Sequence, residues 1–118
     1  MNLKERRYDL FPEDILNSIN LIEEYIGILE FKEFKQSRMV VDAVIRNFEI
    51  IGEAAKNIPA DIQNKYPEVP WRKMNNLRNL ISHVYFGIDY EMIWEIIKNN
   101  LPENKTEIIK IIEKEKNN

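Results

Sequence analysis

Several residue types are scarce in this chain of 118 residues, and each absence excludes a class of protein. There is no cysteine, which excludes disulfides and thiolate chemistry and is compatible with a reducing compartment. No apolar run approaches the roughly 18–20 residues that are needed to span a bilayer. The first seven residues are mostly polar or charged and lack the apolar core of a signal peptide. We therefore expect a cytoplasmic protein without a membrane segment.

The composition is that of one ordinary helical domain. Apolar residues make up 44% of the chain and charged residues 31%, and the net charge is −3. Because this charge gives no global attraction for nucleic acid, any such binding must come from a local patch or from paired patches in an oligomer. The sequence predicts a single domain over residues 1–118, with residues 1–11 and 113–118 peripheral or frayed.

Apolar residues recur at helical spacing in two long segments. The first is predicted to begin at Pro12, and its stripe consists of Ile15, Ile19, Ile22, Ile26 and Leu29. The second is predicted to begin after an N-cap at Ser37, and its stripe consists of Val40, Val44, Phe48, Ile51, Ala55 and Ile58. Gly52 lies inside this second helix, where it costs about 1 kcal/mol relative to alanine. A glycine at such a position indicates that another backbone approaches closely.

The rest of the chain predicts shorter helices. Residues 61–66 form a short turn, and a third main helix runs from Trp71 to a point before Gly87. Asp89 caps a fourth helix, and Pro102 opens the last one. No strand-like alternation and no internal repeat is found. The predicted fold is all-α, an antiparallel up-and-down bundle of four to five helices.

Acidic residues are absent from one stretch of twenty residues, 69–88, although the chain contains 20 of them. An even distribution would place about three in such a window. The stretch contains Arg78 and His83, which is the only histidine of the chain. A cation, an imidazole and neutral polar groups without carboxylates favour the binding of a phosphate.

On a helical wheel the third main helix has one apolar and one polar face. The polar side chains near Arg78 are those of Asn75, Asn76, Asn79, Ser82, His83 and Tyr85. Arg78 and His83 are about 140° apart around the axis and about 7.5 Å apart along it. One copy would therefore surround a phosphate poorly, whereas two copies across a two-fold axis can place four such groups around it. This geometry predicts a homodimer.

The two side chains suit cleavage of RNA without a metal. An imidazole near neutral pKa can take up or release a proton, so His83 is a candidate acid/base. A guanidinium stabilises the extra negative charge of a phosphoryl transition state, so Arg78 is a candidate stabiliser. The ribose 2′-hydroxyl would then be the internal nucleophile.

The spacing Arg78, four residues, His83, one residue, Tyr85 resembles the signature of HepT-like toxins of the HEPN superfamily. Asn79 supplies the polar residue that follows the arginine in this pattern. Three more blocks agree with the family in order: residues 46–55, 69–72 and 86–89. The resemblance covers roughly Ile15 to Leu101.

This resemblance implies an all-helical homodimer whose motif helices line a cleft between the subunits. It implies a metal-independent endoribonuclease that is the toxin of a toxin–antitoxin pair, with RNA as substrate and no cofactor. The partner implied is a nucleotidyltransferase antitoxin that attaches AMP to Tyr85. His83 is then the acid/base and Arg78 the transition-state stabiliser. The expected cleft support comes from Asn79, Ser82, Arg46, Asn47 and Glu53.

Other interpretations remain open at this point. The row of Arg46, Glu49, Glu53 and Lys56 can equally be a solvated, salt-bridged helix face. The chain can be a non-catalytic subunit that holds a nucleotide or RNA for a nucleotidyltransferase, or an interaction protein whose polar cleft is incidental. A metal site is disfavoured because there is one histidine and no Glu-x-x-His pair.

Overall fold

The computed structural model describes the backbone of residues 3–81 and 87–116 and the side chains of residues 11–79 and 87–116. Within these ranges every regular element is a helix, which confirms the predicted all-α class. The elements are α1 (Leu3–Ile26), α2 (Phe31–Gln36), α3 (Arg38–Lys56), α4 (Ala60–Lys65), α5 (Trp71–Ile81), α6 (Tyr90–Glu95), a π-helical turn (Ile96–Asn100) and α7 (Leu101–Lys116).

Helix α3 is the centre of the packing. It lies against α1 on one side and α5 on the other, and α7 covers α1. The predicted isoleucine stripe of α1 is buried from Ile15 to Ile26, and most of the predicted α3 stripe is buried with it. Because each fully buried side chain of this size contributes about 1.5–3 kcal/mol, these two stripes anchor the fold. The Ser37 hydroxyl caps α3 as predicted, accepting from the Val40 N–H.

The predicted start of α1 at Pro12 is wrong. The helix is already formed at Leu3 and continues through Pro12. Proline inside a helix removes one backbone hydrogen bond and costs about 3 kcal/mol. Pro12 is itself buried, and Phe11 beside it packs against the core. Burial along the first turns of the stripe therefore offsets the local penalty.

The predicted separation of the last two helices is also wrong. Helix α6 begins after an Asp89 cap, as predicted, with the carboxylate accepting from the Met92 N–H at 3.0 Å. It then passes through the π-helical turn directly into α7. The Leu101 N–H donates to the Ile96 carbonyl five residues earlier, which is the π spacing. Pro102 is the next residue. In a regular α-helix its ring would clash with the carbonyl of the preceding turn, and the wider π-helical turn accommodates it.

The C-terminal turn of α7, part of the predicted peripheral segment 113–118, is bound to the end of α4. Helix α7 continues to Lys116, and Glu115 binds two residues at the end of α4. Its carboxylate accepts from the Lys65 ammonium at 2.9 Å and from the buried Tyr66 hydroxyl. These contacts fix the C-terminal turn of α7 to the segment that precedes α5.

This cluster makes stability depend on pH at both extremes. Burial and the hydrogen bond to Glu115 raise the pKa of Tyr66 to about 12. The same hydrogen bond and that from Lys65 lower the pKa of Glu115. The contribution of Tyr66 to the free energy of unfolding is therefore complete below about pH 10, the usual tyrosine pKa, and is lost as the pH rises towards 12. The contribution of Glu115 to the free energy of unfolding is present above the usual glutamate pKa and is lost as the pH falls through the lowered pKa of Glu115.

We expect Tyr66→Phe to lower the free energy of unfolding by about 1–2 kcal/mol at pH 7, because it removes a hydrogen bond to a charged group. The variant should also lose less stability than the wild type between pH 10 and 12. Urea unfolding at several pH values measures both effects. Tyr25→Phe, at a tyrosine that is 39% exposed, is the matched control. An alkaline loss that is the same in Tyr66→Phe and wild type would contradict this assignment.

Candidate active site

Gly52 brings the backbones of α3 and α5 into contact. A Cβ at this position would lie 2.9 Å from both the Cβ and the backbone nitrogen of Arg78, and 3.0 Å from the Asn75 carbonyl oxygen. Real Cβ contacts are essentially never that short, so only glycine fits without a shift of α5. The close approach predicted from the sequence is confirmed, and the backbone at its centre is that of Arg78.

The next residue of α3, Glu53, holds the Arg78 side chain. The Arg78 Nη1 lies 2.7 Å from the Glu53 Oε2, and the two side chains are 50% and 52% exposed. A guanidinium carries five N–H donors, so this ion pair leaves others for a ligand. The Gly52 contact and the Glu53 ion pair together fix Arg78 at the surface, with part of its guanidinium open to solvent. This arrangement suits a group that must meet a phosphate.

The other members of the predicted polar row on α3 behave differently. Arg46 forms an exposed ion pair with Glu49, 3.2 Å from Nη1 to Oε2. An exposed pair three residues apart contributes little, and here the interpretation as a solvated helix face fits. The row is therefore divided: Arg46 and Glu49 bind each other, whereas Glu53 binds across to α5.

Among the predicted support residues that the structure describes, Asn47 is the one that lies inside the fold. It is 5% exposed, and its Nδ2 donates to the Ala43 carbonyl at 2.9 Å. Its Oδ1 is buried and accepts no hydrogen bond from the residues that the structure describes. A buried acceptor without a partner costs about 1–3 kcal/mol. Asn47 thus offers a buried oxygen on α3, less than two turns before Gly52.

Asn79 follows Arg78 on the surface of α5. It is exposed, and its Nδ2 donates to the Asn76 Oδ1 at 3.3 Å. The remaining predicted site residues, Ser82, His83 and Tyr85, lie outside the described residues. Of the predicted site, the structure therefore brings together Arg78 and Glu53 and leaves Arg46 in a separate ion pair, and Asn79 directly follows Arg78 in α5.

The sequence predicts Glu53 as cleft support, but it does not predict that Arg78 is its ion-pair partner. The sequence assigns Glu53 to the same row as Arg46 and Lys56, and Arg78 to another helix. The available signal was Gly52, because a glycine at a helix contact places its neighbours at the edge of that contact. Within the described residues, no group of three or more histidine, aspartate or glutamate side chains is placed to hold a metal ion. None of the helices described is long and apolar enough to cross a membrane.

Comparison with known proteins places the chain in a family. The family described as Ribonuclease HepT-like matches residues 15–111. A candidate RNase of Methanocaldococcus jannaschii is 46% identical over 102 residues, covering 86% of this chain and 84% of that protein. A candidate ribonuclease HepT of Thermococcus cleftensis is 40% identical over 107 residues, which cover 91% of this chain and 97% of that protein. A candidate RNase of Caldanaerobacter subterraneus subsp. tengcongensis is 36% identical over 106 residues, which cover 90% of this chain and 95% of that protein.

No solved structure matches the chain significantly. The family match spans most of the 118 residues and includes the segment in which sequence reasoning places Arg78 and His83. The chain therefore belongs to the HepT-like ribonuclease family, which confirms both the family and the class of enzyme that the sequence predicts.

Proposed function

We propose that this ribonuclease is a metal-independent endoribonuclease toxin that cuts RNA in a cleft between two copies of the chain. The observation that carries the proposal is the state of Arg78. Its backbone is fixed against Gly52 and its guanidinium is held by Glu53, yet half of the side chain is exposed. A cation that is oriented but accessible stabilises developing charge on a phosphate without first having to be ordered.

The proposed reaction is an internal transfer. The 2′-hydroxyl of one ribose attacks the adjacent phosphorus while His83 removes its proton. The bond from phosphorus to the 5′-oxygen of the next nucleotide breaks, and that oxygen receives a proton from an imidazolium. The products are a 2′,3′-cyclic phosphate and a free 5′-hydroxyl. Arg78 stabilises the additional negative charge of the pentacoordinate phosphorus.

Two copies of the chain can place catalytic groups on more sides of the phosphate than one copy can. On the helical wheel, Arg78 and His83 of a single chain are about 140° apart, so a symmetric pair of chains surrounds the phosphate better. In such a homodimer one imidazole accepts a proton and the other donates one. Asn79 and Ser82 contribute polar groups to the cleft, Arg46 borders it, and Asn47 supports it from the interior of the fold.

Control of this activity is proposed to come from a nucleotidyltransferase antitoxin in the cytoplasm. Transfer of AMP from ATP to the Tyr85 hydroxyl, with loss of the phenol proton and release of pyrophosphate, would add negative charge and bulk. In the helical wheel Tyr85 lies close to Arg78, about 20° away. The added phosphate would then compete with RNA for the same guanidinium.

The test is cleavage of labelled RNA by the purified protein in excess chelator. We expect fragments that end in a cyclic phosphate, and we expect no cleavage at a linkage whose 5′ nucleotide lacks the 2′-hydroxyl. Cleavage that continues at the deoxy-substituted linkage would overturn the internal-nucleophile mechanism. Retention of intact RNA in a gel shift, with no fragments, would favour the alternative of a non-catalytic binding subunit.

A further inference from the structure

A cavity of about 220 Å³ lies between α5, the π-helical turn and the start of α7. It is distinct from the contact between Arg78 and Glu53, which lies between α3 and α5. Its apolar wall is formed by Met74, Leu77 and Ile96. An apolar cavity of about 150 Å³ can hold a ring of benzene size. A larger cavity that is open on one side can therefore admit an aromatic heterocycle.

Amide side chains surround this apolar wall. Asn76, Asn100 and Asn104 all line the cavity. Asn104 is 7% exposed, and its Nδ2 donates to the Glu107 Oε1 at 3.4 Å. Its amide therefore lines the cavity from a residue that is mostly buried. Amides supply both donors and acceptors, which is what the edge of a nucleobase requires.

One cation completes the lining. Lys73 is exposed, and it forms no ion pair with the residues that the structure describes. The cavity lining contains no acidic residue. A lysine without a carboxylate partner at the mouth of the cavity favours a ligand that carries a phosphate.

A hydrogen bond links the cavity to the proposed catalytic motif. The Asn76 Oδ1 at the cavity accepts from Asn79, which follows Arg78 in α5. Asn76 and Arg78 are about 160° apart around the helix, so the cavity opens on the far side of α5 from the guanidinium. A nucleotide in the cavity would therefore not be the one whose phosphate meets Arg78.

We propose that this cavity is a base pocket, which binds one unpaired base of the RNA substrate, with adenine preferred. This inference rests on the proposed function, because it assigns a specificity subsite to the same ribonuclease. Proteins read RNA sequence mainly by taking up unstacked bases of single strands. Asparagine pairs with adenine through two hydrogen bonds, to N6 and N7, and a cavity of about 220 Å³ has room for the larger purine ring. Lys73 would contact the phosphate of the same nucleotide.

The first experiment measures which base the enzyme selects. Wild type and Asn100→Ala cleave an RNA pool with a randomised single-stranded segment, and the fragment ends are sequenced. We expect a preference for adenine at one fixed position near the cut, reduced about tenfold in Asn100→Ala. Asn100 is exposed, so its replacement is compatible with folding. Asn99→Ala is the matched control, because Asn99 shares the π-helical turn, binds Glu95 and does not line the cavity.

The second experiment separates failure of the base pocket from failure of the proposed function. Adenosine, AMP and inorganic phosphate are titrated into Arg78→Ala, and amide shifts around Met74 and Ile96 are followed by NMR. We expect AMP and adenosine to shift these amides, with weaker AMP binding in Lys73→Ala. If RNA is never cut but AMP binds here, the pocket stands and the ribonuclease mechanism fails. Equal adenine preference in wild type and Asn100→Ala, or no shift with adenosine or AMP, would overturn the base pocket.

Discussion

Replacing Arg78 with alanine is expected to lower the rate of RNA cleavage by about 10²- to 10³-fold, the usual loss when one oriented donor to a transition-state oxyanion is removed. The physical reason lies in the support that Arg78 receives. Its backbone is packed on Gly52 and one side of its guanidinium is held by Glu53. The charge is therefore already in place before substrate arrives, and its removal cannot be replaced by a mobile cation in solvent.

Two companion variants sharpen this prediction. Arg78→Lys keeps the charge but loses the planar fork of donors, so we expect only partial recovery of the rate. His83→Ala should lower cleavage by about 10²- to 10⁴-fold through loss of proton transfer. Circular dichroism and sedimentation should show unchanged helicity and association in each variant.

The matched control for Arg78 is Arg38→Ala. Arg38 is also a surface arginine in an ion pair, 4.0 Å from Asp42, and its side chain is 95% exposed. It lies in the first turn of α3, whereas Gly52 and Glu53 lie near the end of that helix. We expect near wild-type cleavage from this variant. If Arg38→Ala and Arg78→Ala lose activity equally, Arg78 acts only through general attraction of RNA.

The helices that the sequence predicts well are those whose apolar periodicity is long. The stripes of α1 and α3 predict the buried faces because each apolar residue that is left exposed forfeits about 1.5–3 kcal/mol. The errors occur at Pro12 and Pro102, where the local preference of proline for the first turn predicts a helix start. In both places the helix continues, since packing of the neighbouring residues and a π-helical turn outweigh the local cost of proline.

For the site, the sequence predicts which residue types matter but not how they pair. The sequence predicts that Arg78 and residues of α3 border one cleft, and among the described residues Arg78 binds Glu53 of α3. The choice of Glu53 over Glu49 depends on how α5 sits on α3, which the Gly52 contact sets. Likewise, Asn47 is buried with an oxygen that has no partner among the described residues; this follows from the packing around α3, and no periodicity in the sequence indicates it.

The same contact leads to the second large effect, since we expect Gly52→Ala to destabilise the protein even though alanine favours helices. The helical preference would gain about 1 kcal/mol. Against this, the new methyl group would meet the Arg78 backbone nitrogen at 2.9 Å and the Asn75 carbonyl at 3.0 Å. Backbone atoms cannot rotate away, so α5 must shift, and overpacking of this kind typically costs about 1–3 kcal/mol. Gly52→Val should be worse, with loss of the folded state at moderate temperature.

Urea unfolding of Gly52→Ala measures this loss, and RNA cleavage at a temperature where the variant remains folded measures its consequence for the site. Because a shift of α5 moves Arg78 relative to Glu53, we expect activity to fall beyond what the folded fraction explains. Asp42→Ala, at an exposed position of the same helix, is the control and should change stability by about 0.5 kcal/mol or less. A Gly52→Ala protein that is more stable than wild type and equally active would show that α5 can move without cost, and that the Gly52 contact does not position Arg78.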